Sequence, residues 1–273
     1  MRYVRFAPEP GLPADESRAQ WGRLDGEKIT PLPAAPWLLD DPEHAVLEGA
    51  PRAQISTVQL LAPVAPRKIV CVGRNYADHA AETGSDLPPE PLLFLKPSSA
   101  LLAPGAPVVY PSISQRVDHE AEIAVVIGPV IKGGRFLDEA EAMQCVFGYT
   151  PVNDVTARDL QNSDGQWSRA KGFDTFLPVG PWVESGLDPE NRRIRCLVNG
   201  ETRQDANTSQ MIFHIPRILS HISMAMRLEP GDLICTGTPA GISPVFPGDL
   251  MVVEIEGLGA LSNPVISEAE IRG

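Results

Sequence analysis

The chain reads as a mostly β protein with a few short helices, an α+β fold, and three observations predict this. Glycine (23) and proline (28) are both plentiful among 273 residues, which breaks a chain into short extended pieces joined by turns. Helical periodicity is scarce, and only Ile215, Ile218, Leu219, Ile222 and Met226 keep the spacing of an amphipathic helix. The other apolar residues fall in short runs closed by turn residues, as in Lys68-Ile69-Val70-Cys71-Val72 and Leu233-Ile234-Cys235. A hydrophobic content of 43% is enough for a real core.

Taken in order, residues 1–62 predict a small N-terminal β domain and residues 63–273 a larger one, with Leu61-Ala62-Pro63-Val64-Ala65-Pro66-Arg67 between them. In the first, Arg2 to Phe6 alternates like a strand, and Asp25-Gly26 predicts a type I′ hairpin turn, in which both central residues take φ > 0. Pro31 to Pro36 and Asp40-Asp41-Pro42-Glu43 are irregular surface segments, and His44 is a surface histidine.

The second part opens with the strand Lys68 to Val72, then Gly73-Arg74-Asn75-Tyr76 and one or two helical turns stopped at Gly84. His79 and Glu82 are three apart and face the same way there. A carboxylate held on an imidazole fixes its tautomer and raises its basicity, as a general base needs, although an isolated pair of this kind reads first as a surface pair. Leu92-Leu93-Phe94-Leu95 predicts a buried strand closed by Lys96, whose ammonium either reaches solvent or faces a pocket. Val108-Val109-Tyr110 is a further strand.

Asp118-His119-Glu120-Ala121-Glu122 leads into the unbroken apolar run Ile123 to Ile127, an interior strand. Glu120 and Glu122 stand two apart, so on a strand they share a face, with Cα atoms roughly 6.6 Å apart. Either this is a solvated strand end, or the pair takes a proton or a cation. Asp138 predicts the N-cap of a short helix to Cys145. The strand ending at Asp154 offers a third carboxylate, and the helical turn after it presents Arg158, suited to bidentate carboxylate recognition, and Gln161.

Trp167 to Pro181 predicts an edge or corner strand, with Lys171 between the small residues Ala170 and Gly172. Arg193 to Asn199 starts a hairpin turning at Asn199-Gly200. His214 and His221 near the amphipathic helix are structural. Thr236-Gly237-Thr238-Pro239-Ala240-Gly241 can aim backbone N–H groups and a hydroxyl at an anion. Met251 to Glu256 and Ala260 to Ile266 close the chain as edge or hairpin strands.

The net charge of −12 argues against nucleic acid or an anionic membrane surface as partner. Cys71, Cys145, Cys196 and Cys235 are scattered in apolar stretches and read as reduced core residues. No apolar run is long enough to span a bilayer, so a cytoplasmic protein is expected.

Gly73-Arg74-Asn75-Tyr76 with His79 and Glu82, Phe94-Leu95-Lys96-Pro97, Glu120-Ala121-Glu122, Asp154 to Gln161, Ala170-Lys171-Gly172-Phe173-Asp174 and Thr236-Gly237-Thr238-Pro239 follow one another in an order that resembles the fumarylacetoacetate hydrolase family, from about Pro66 to Val265. The resemblance implies a mixed β-sandwich roll, a homodimer, and a divalent metal held by the positions matching Glu120, Glu122 and Asp154. Such an all-oxygen set suits Mg²⁺, with Mn²⁺ as substitute. Arg158, Gln161 and Thr238 fall on substrate-holding positions, Lys171 and Lys96 on active-site lysines, and His79 with Glu82 on the acid–base dyad of a lid. Where larger members place an aspartate ligand near the lid, this chain has Asn75, which leaves three protein carboxylates.

The implied substrates carry a 2-oxo acid end. Breaking a carbon–carbon bond beside the keto group leaves an enolate, which the metal and Lys171 would stabilise. The first expectation is a Mg²⁺-dependent hydrolase of a small 2,4-dioxo acid, an acylpyruvate such as fumarylpyruvate, in aromatic or sugar-acid catabolism. A 2-oxo-acid (oxaloacetate-type) decarboxylase or a 2-hydroxy-dienoate isomerase would use the same site. A non-catalytic 2-oxo-acid-binding protein is the remaining alternative, and retention of Lys171, Arg158 and the dyad argues against it.

Overall fold

In the computed structural model, which describes residues 1–8 and 18–272, the apolar run behind the paired glutamates forms the strand Ala121–Ile127, buried at every position. Its alternation serves two cores. Ala121, Ile123, Val125 and Ile127 pack in one apolar cluster with Ile215, Ile218, Leu219 and Ile222 of the helix Ile215–Ala225. Ala124 and Val126 pack in a second with Ile69, Cys71, Leu177, Leu233 and Cys235. A strand covered on both faces needs a continuous apolar sequence, and this one has it.

That strand lies inside an 11-stranded sheet. Val146–Asn153 pairs with it antiparallel on one side and Leu233–Cys235 antiparallel on the other. Ile69–Gly73 then runs parallel to Leu233–Cys235, and Leu92–Lys96 closes that edge. Beyond Val146–Asn153, the short strand Val183–Glu184 joins Arg2–Ala7 and so continues the sheet into the N-terminal strands Gln20–Asp25, Lys28–Leu32 and Ala53–Gln54. The N-terminal unit keeps its own apolar cluster around Val4, Phe6, Leu24 and Ile29. A second sheet of five strands, Glu201–Asn207, Arg193–Val198, Leu250–Ile255, Gly259–Ser267 and Val108–Tyr110, contributes Ile194, Cys196, Val253, Ile255 and Leu261 to the first cluster. Parallel and antiparallel pairs mix in both sheets, and the helices are few and short, as the sequence predicts.

Several local expectations hold for the reason given. Asn199 and Gly200 both take positive φ, 53° and 82°, at the turn between Arg193–Val198 and Glu201–Asn207. Asp138 caps the helix Glu139–Met143 in a reciprocal capping box with Glu141. All four cysteines are buried free thiols. Among the described residues no helix is long and apolar enough to cross a membrane.

Other expectations are corrected. The first hairpin pairs Asp25 with Lys28, so its central residues are Gly26 and Glu27, and Gly26 alone has positive φ; this fits a II′ turn, with glycine leading. Leu92–Lys96 is an edge strand and not a buried one, with Leu92 38% and Leu95 52% exposed while Lys96 is 3% exposed. The acidic segment is two strands: Val117–Asp118 belongs to a separate three-stranded sheet, and Ala121 starts the central strand. Within Trp167 to Pro181, Ser168–Lys171 forms a helical turn, and the expected edge strand is confined to Leu177–Pro178, which pairs parallel with Leu101–Leu102.

Candidate active site

Four strand ends meet at one rim of the large sheet. The antiparallel register that pairs Ala121 with Asn153 runs one step further, where the Asp154 N–H donates to the Glu120 carbonyl at 2.8 Å. Period-two alternation then carries Glu122 and Glu120 onto the face of Ala124 and Val126. Glu120, Glu122 and Asp154 are 4%, 1% and 0% exposed. One carboxylate oxygen from each lies within 4.8 Å of the others. The paired glutamates are therefore a buried cluster completed by Asp154, and not a solvated strand end.

Cations hold this cluster. Lys171 Nζ donates to Glu120 Oε2 and Asp154 Oδ2, both at 2.7 Å, and Lys96 Nζ to Asp154 Oδ1 at 2.5 Å and to the Phe176 carbonyl at 2.8 Å. Arg158 ion-pairs with Glu120, while its Nε reaches Asp118 Oδ2 at 2.9 Å and Nη1 donates to Gln161 Oε1 at 2.5 Å. Burial would raise the Glu120 pKa, but Lys171 and Arg158 outweigh it and hold the carboxyl well below the usual range. Burial, Asp154 and Glu120 all push Glu122 the other way, well above its usual value. Against burial, Asp154 and Glu120 keep the Lys171 ammonium firmly protonated.

Glu122 is the member of the trio with no ion pair among the described residues, and its partner is the Gly237 N–H at 2.8 Å. A hard divalent cation fits that set: three carboxylates supply only oxygen, and each oxygen has lone pairs for a second partner.

The Thr236 to Gly241 turn does serve anions, and they are the protein's own. Gly237 donates to Glu122, and the Gly241 N–H donates to Glu82 at 3.1 and 3.2 Å. Gly237 takes φ +98°, and a Cβ there would meet the Asn75 Cβ at 2.7 Å. The Thr238 hydroxyl donates to the Ala121 carbonyl at 2.9 Å and accepts from Gln204 Nε2 at 2.8 Å. Asn75 is a clip: Nδ2 donates to the carbonyls of Phe213 and Thr236 at 2.9 and 2.7 Å, and Oδ1 accepts the Phe213 N–H at 2.8 Å.

His79 and Glu82 lie on the helix Ala77–Glu82. His79 is 6% exposed while Glu82 is exposed, so the pair bridges the protein interior and its surface, and the His79 Nδ1 stands 3.4 Å from Glu82 Oε2. Burial lowers the His79 pKa below its ordinary 6.5, partly offset by Glu120 and Glu82. A cavity of about 500 Å³ opens over these groups, lined by all ten residues singled out from the sequence except Lys96, which sits beneath its floor.

Four residues escape a sequence reading. Asp118, 0% exposed, grips both Arg158 and Arg116 at 2.9 Å. Gln204, 0% exposed on an otherwise polar strand, accepts the Ala121 N–H at 3.0 Å and donates to Thr238 and to the Pro239 carbonyl at 2.8 Å. Its Oε1 lies 3.1 Å from His119 Nδ1, which must therefore carry the proton, so His119 Nε2 accepts from Ser243 at 2.9 Å. Arg74 lines the cavity with a left-handed backbone, φ 56°, which costs a non-glycine residue about 1–2 kcal/mol.

Residues 68–266 match the family model described as fumarylacetoacetate (FAA) hydrolase C-terminal, and residues 1–63 that described as Rv2993c-like, N-terminal. An oxaloacetate tautomerase, fahd2, of Xenopus laevis mitochondria is 44% identical over 224 residues, 77% of this chain and 69% of that protein. The crystal structure of a 2-hydroxyhepta-2,4-diene-1,7-dioate isomerase from Mycobacterium marinum superposes with a TM-score of 0.85 at 38% identity, over 98% of this chain and 99% of the other. That of a maleylpyruvate hydrolase from Sphingobium sp. SYK-6, in complex with manganese(II) and pyruvate, does so with 0.79 at 32% identity, over 98% and 99%.

Proposed function

The chain belongs to the fumarylacetoacetate hydrolase family, and on that footing we propose that it is a divalent-metal-dependent enzyme cleaving a carbon–carbon bond in a small 2,4-dioxo acid, an acylpyruvate such as fumarylpyruvate. The observation that carries the reading is the buried trio Glu120, Glu122 and Asp154, braced by Lys171 under a cavity that also takes in His79.

A cation held by the trio, Mg²⁺ or Mn²⁺ in its place, would polarise the 2-oxo oxygen as a Lewis acid, worth several kcal/mol in the transition state. The chain's own residues do the rest. Lys171 keeps its charge in the site and offsets the negative charge that develops on the 2-oxo oxygen as the bond breaks. Arg158 and Gln161 orient the substrate carboxylate; Gln161 spends only its Oε1 on Arg158. His79 is neutral near pH 7, and with Nδ1–H turned to Glu82 its Nε2 is free to take a proton from the attacking water.

A second reading has specific support: the isomerase and the tautomerase are among the similar proteins. In it His79 moves a proton between two positions of a 2-hydroxy-dienoate or 2-oxo acid, and no water attacks.

The test is a panel of acylpyruvates, dienoates and oxaloacetate, assayed with Mg²⁺ and after chelation. Acylpyruvate cleavage that stops on chelation and returns with Mg²⁺ is expected. Conversion of dienoates or enol-oxaloacetate without acylpyruvate cleavage would replace the first reading by the second. Decarboxylation of oxaloacetate alone would make the enzyme a decarboxylase, and binding without turnover would remove the enzyme reading.

A further inference from the structure

The ladder of the large sheet stops short of the paired glutamates. Leu233–Cys235 pairs with the central strand only as far as Cys235 opposite Ala124. Thr236 still reaches the Ile123 carbonyl, donating from its N–H at 3.3 Å and from its hydroxyl at 2.8 Å. The chain then turns away at Gly237, whose N–H goes to Glu122. Alternate residues of an antiparallel strand bond to opposite neighbours. The Asp154 N–H takes the Glu120 carbonyl, so the N–H and C=O of Ala121 point to the other side, where Leu233–Cys235 has ended. Two side chains stand in for that strand: Gln204 Oε1 accepts the Ala121 N–H at 3.0 Å, and the Thr238 hydroxyl donates to the Ala121 carbonyl at 2.9 Å.

Gln204 ties both halves together. Its Oε1 also accepts from His119 Nδ1 at 3.1 Å, and its Nε2 donates to Thr238 Oγ1 and to the Pro239 carbonyl, each at 2.8 Å. Those bonds use the whole capacity of a primary amide. They also fix its direction, since a backbone N–H must meet the oxygen and a backbone carbonyl the nitrogen. The strand that carries Gln204 is bulged beside it. Cys196 pairs with Gln204 and Leu197 with Thr202, so Arg203 is an extra residue, and the bulge sets Gln204 opposite the buried Cys196 on the inward face. The Arg203 carbonyl lies hard against the turn, where a Cβ on Gly241 would meet it at 2.2 Å.

We propose that Gln204 is a positioning residue of the cation site: through Ala121 and Thr238 it fixes the spacing of Glu120 and Glu122, and so sets which divalent cation the trio prefers. Gln204 is not among the residues lining the cavity, so it acts only through the groups that it holds. The inference rests on the reading of Glu120, Glu122 and Asp154 as a cation site and adds a residue of the second sheet that tunes it. Mg²⁺ demands oxygens close to octahedral positions at about 2.0–2.1 Å, whereas Ca²⁺ accepts irregular sets at about 2.3–2.6 Å. Loosening the strand at Ala121 therefore penalises Mg²⁺ more than Ca²⁺.

Gln204→Met keeps the length of the side chain and removes every one of these bonds. Calorimetry on the chelator-stripped chain should find Mg²⁺ bound about tenfold to a hundredfold more weakly than by the unaltered protein. Ca²⁺ affinity should change by less than about threefold, so the ratio of the two affinities falls. Thermal unfolding and circular dichroism show whether the variant is folded at the assay temperature. Thr238→Val and Thr238→Ser read the same link from its other end, and they decide the matter if Gln204→Met does not fold. The valine, without a hydroxyl, should lower the ratio, and the serine, which keeps one, should retain it. A lowered Tm with an unmoved ratio, or equal weakening of both cations, makes Gln204 a stabilising residue only and overturns the inference. So does a ratio in Thr238→Val equal to that of the unaltered protein. If the unaltered protein binds neither cation, the cation-site reading falls and takes this inference with it; binding with a ratio that no variant moves overturns the inference alone.

Discussion

Replacing Lys171 by methionine keeps most of the side chain's volume and deletes the charge that holds the carboxylates together. The ammonium is 2% exposed as a residue and lies 2.7 Å from both Glu120 and Asp154. Removing one partner of a buried ion pair costs about 3–5 kcal/mol, because the other charges stay buried without it. For a chain of this size each kcal/mol lowers Tm by roughly 2–4 °C, so the metal-free variant should melt about 6–20 °C lower. Mg²⁺ should then stabilise the variant more than the parent, since the cation no longer competes with an ammonium for the same oxygens. The assay is thermal unfolding in chelator and across a Mg²⁺ titration, with acylpyruvate turnover alongside. A Tm within about 2 °C of the parent in chelator, or a smaller Mg²⁺ shift in the variant, would refute the argument that Lys171 braces the metal ligands.

Two further outcomes follow from neighbouring groups. Asp118→Ala leaves Arg158 and Arg116 without their shared carboxylate and should cost about 3 kcal/mol, read as a lower denaturant midpoint at unchanged m value; an unmoved midpoint contradicts it. His79, lowered first by burial, has a folded pKa beneath its unfolded 6.5. The unfolded chain therefore takes the proton first as pH falls through 6.5, and stability is lost below that value at up to about 1.4 kcal/mol per pH unit from this group. kcat/KM should likewise stay level near pH 7 and fall only below 6.5 as the base is protonated. An acid limb that persists unchanged in His79→Ala would assign the titration to another group.

What could be read in the sequence was local. The run Ile123 to Ile127 announces a buried strand, and period two alone puts Glu120 and Glu122 on one face. The ordered motifs then bring in Asp154, Arg158 and Lys171, which the fold gathers at the same rim. What escaped depends on neighbours in space. Leu92 to Leu95 has the composition of a core strand, yet nothing in four apolar residues says that one side of the strand lacks a partner. Gln204 reaches His119 across 85 residues, and a single buried amide on a polar strand has no pattern to betray it. The Thr236 to Gly241 turn reads correctly as an anion-binding turn, but only the fold shows that its anions are Glu122 and Glu82.

The central claim is that Glu120, Glu122 and Asp154 together hold one divalent cation. Titrating Mg²⁺ into the chelator-stripped protein and into Glu122→Ala by calorimetry tests it most directly, with circular dichroism confirming that the variant folds. The account predicts one Mg²⁺ per chain for the unaltered protein and no measurable binding for the variant. Stoichiometric binding to Glu122→Ala, or none to the unaltered protein, would contradict it.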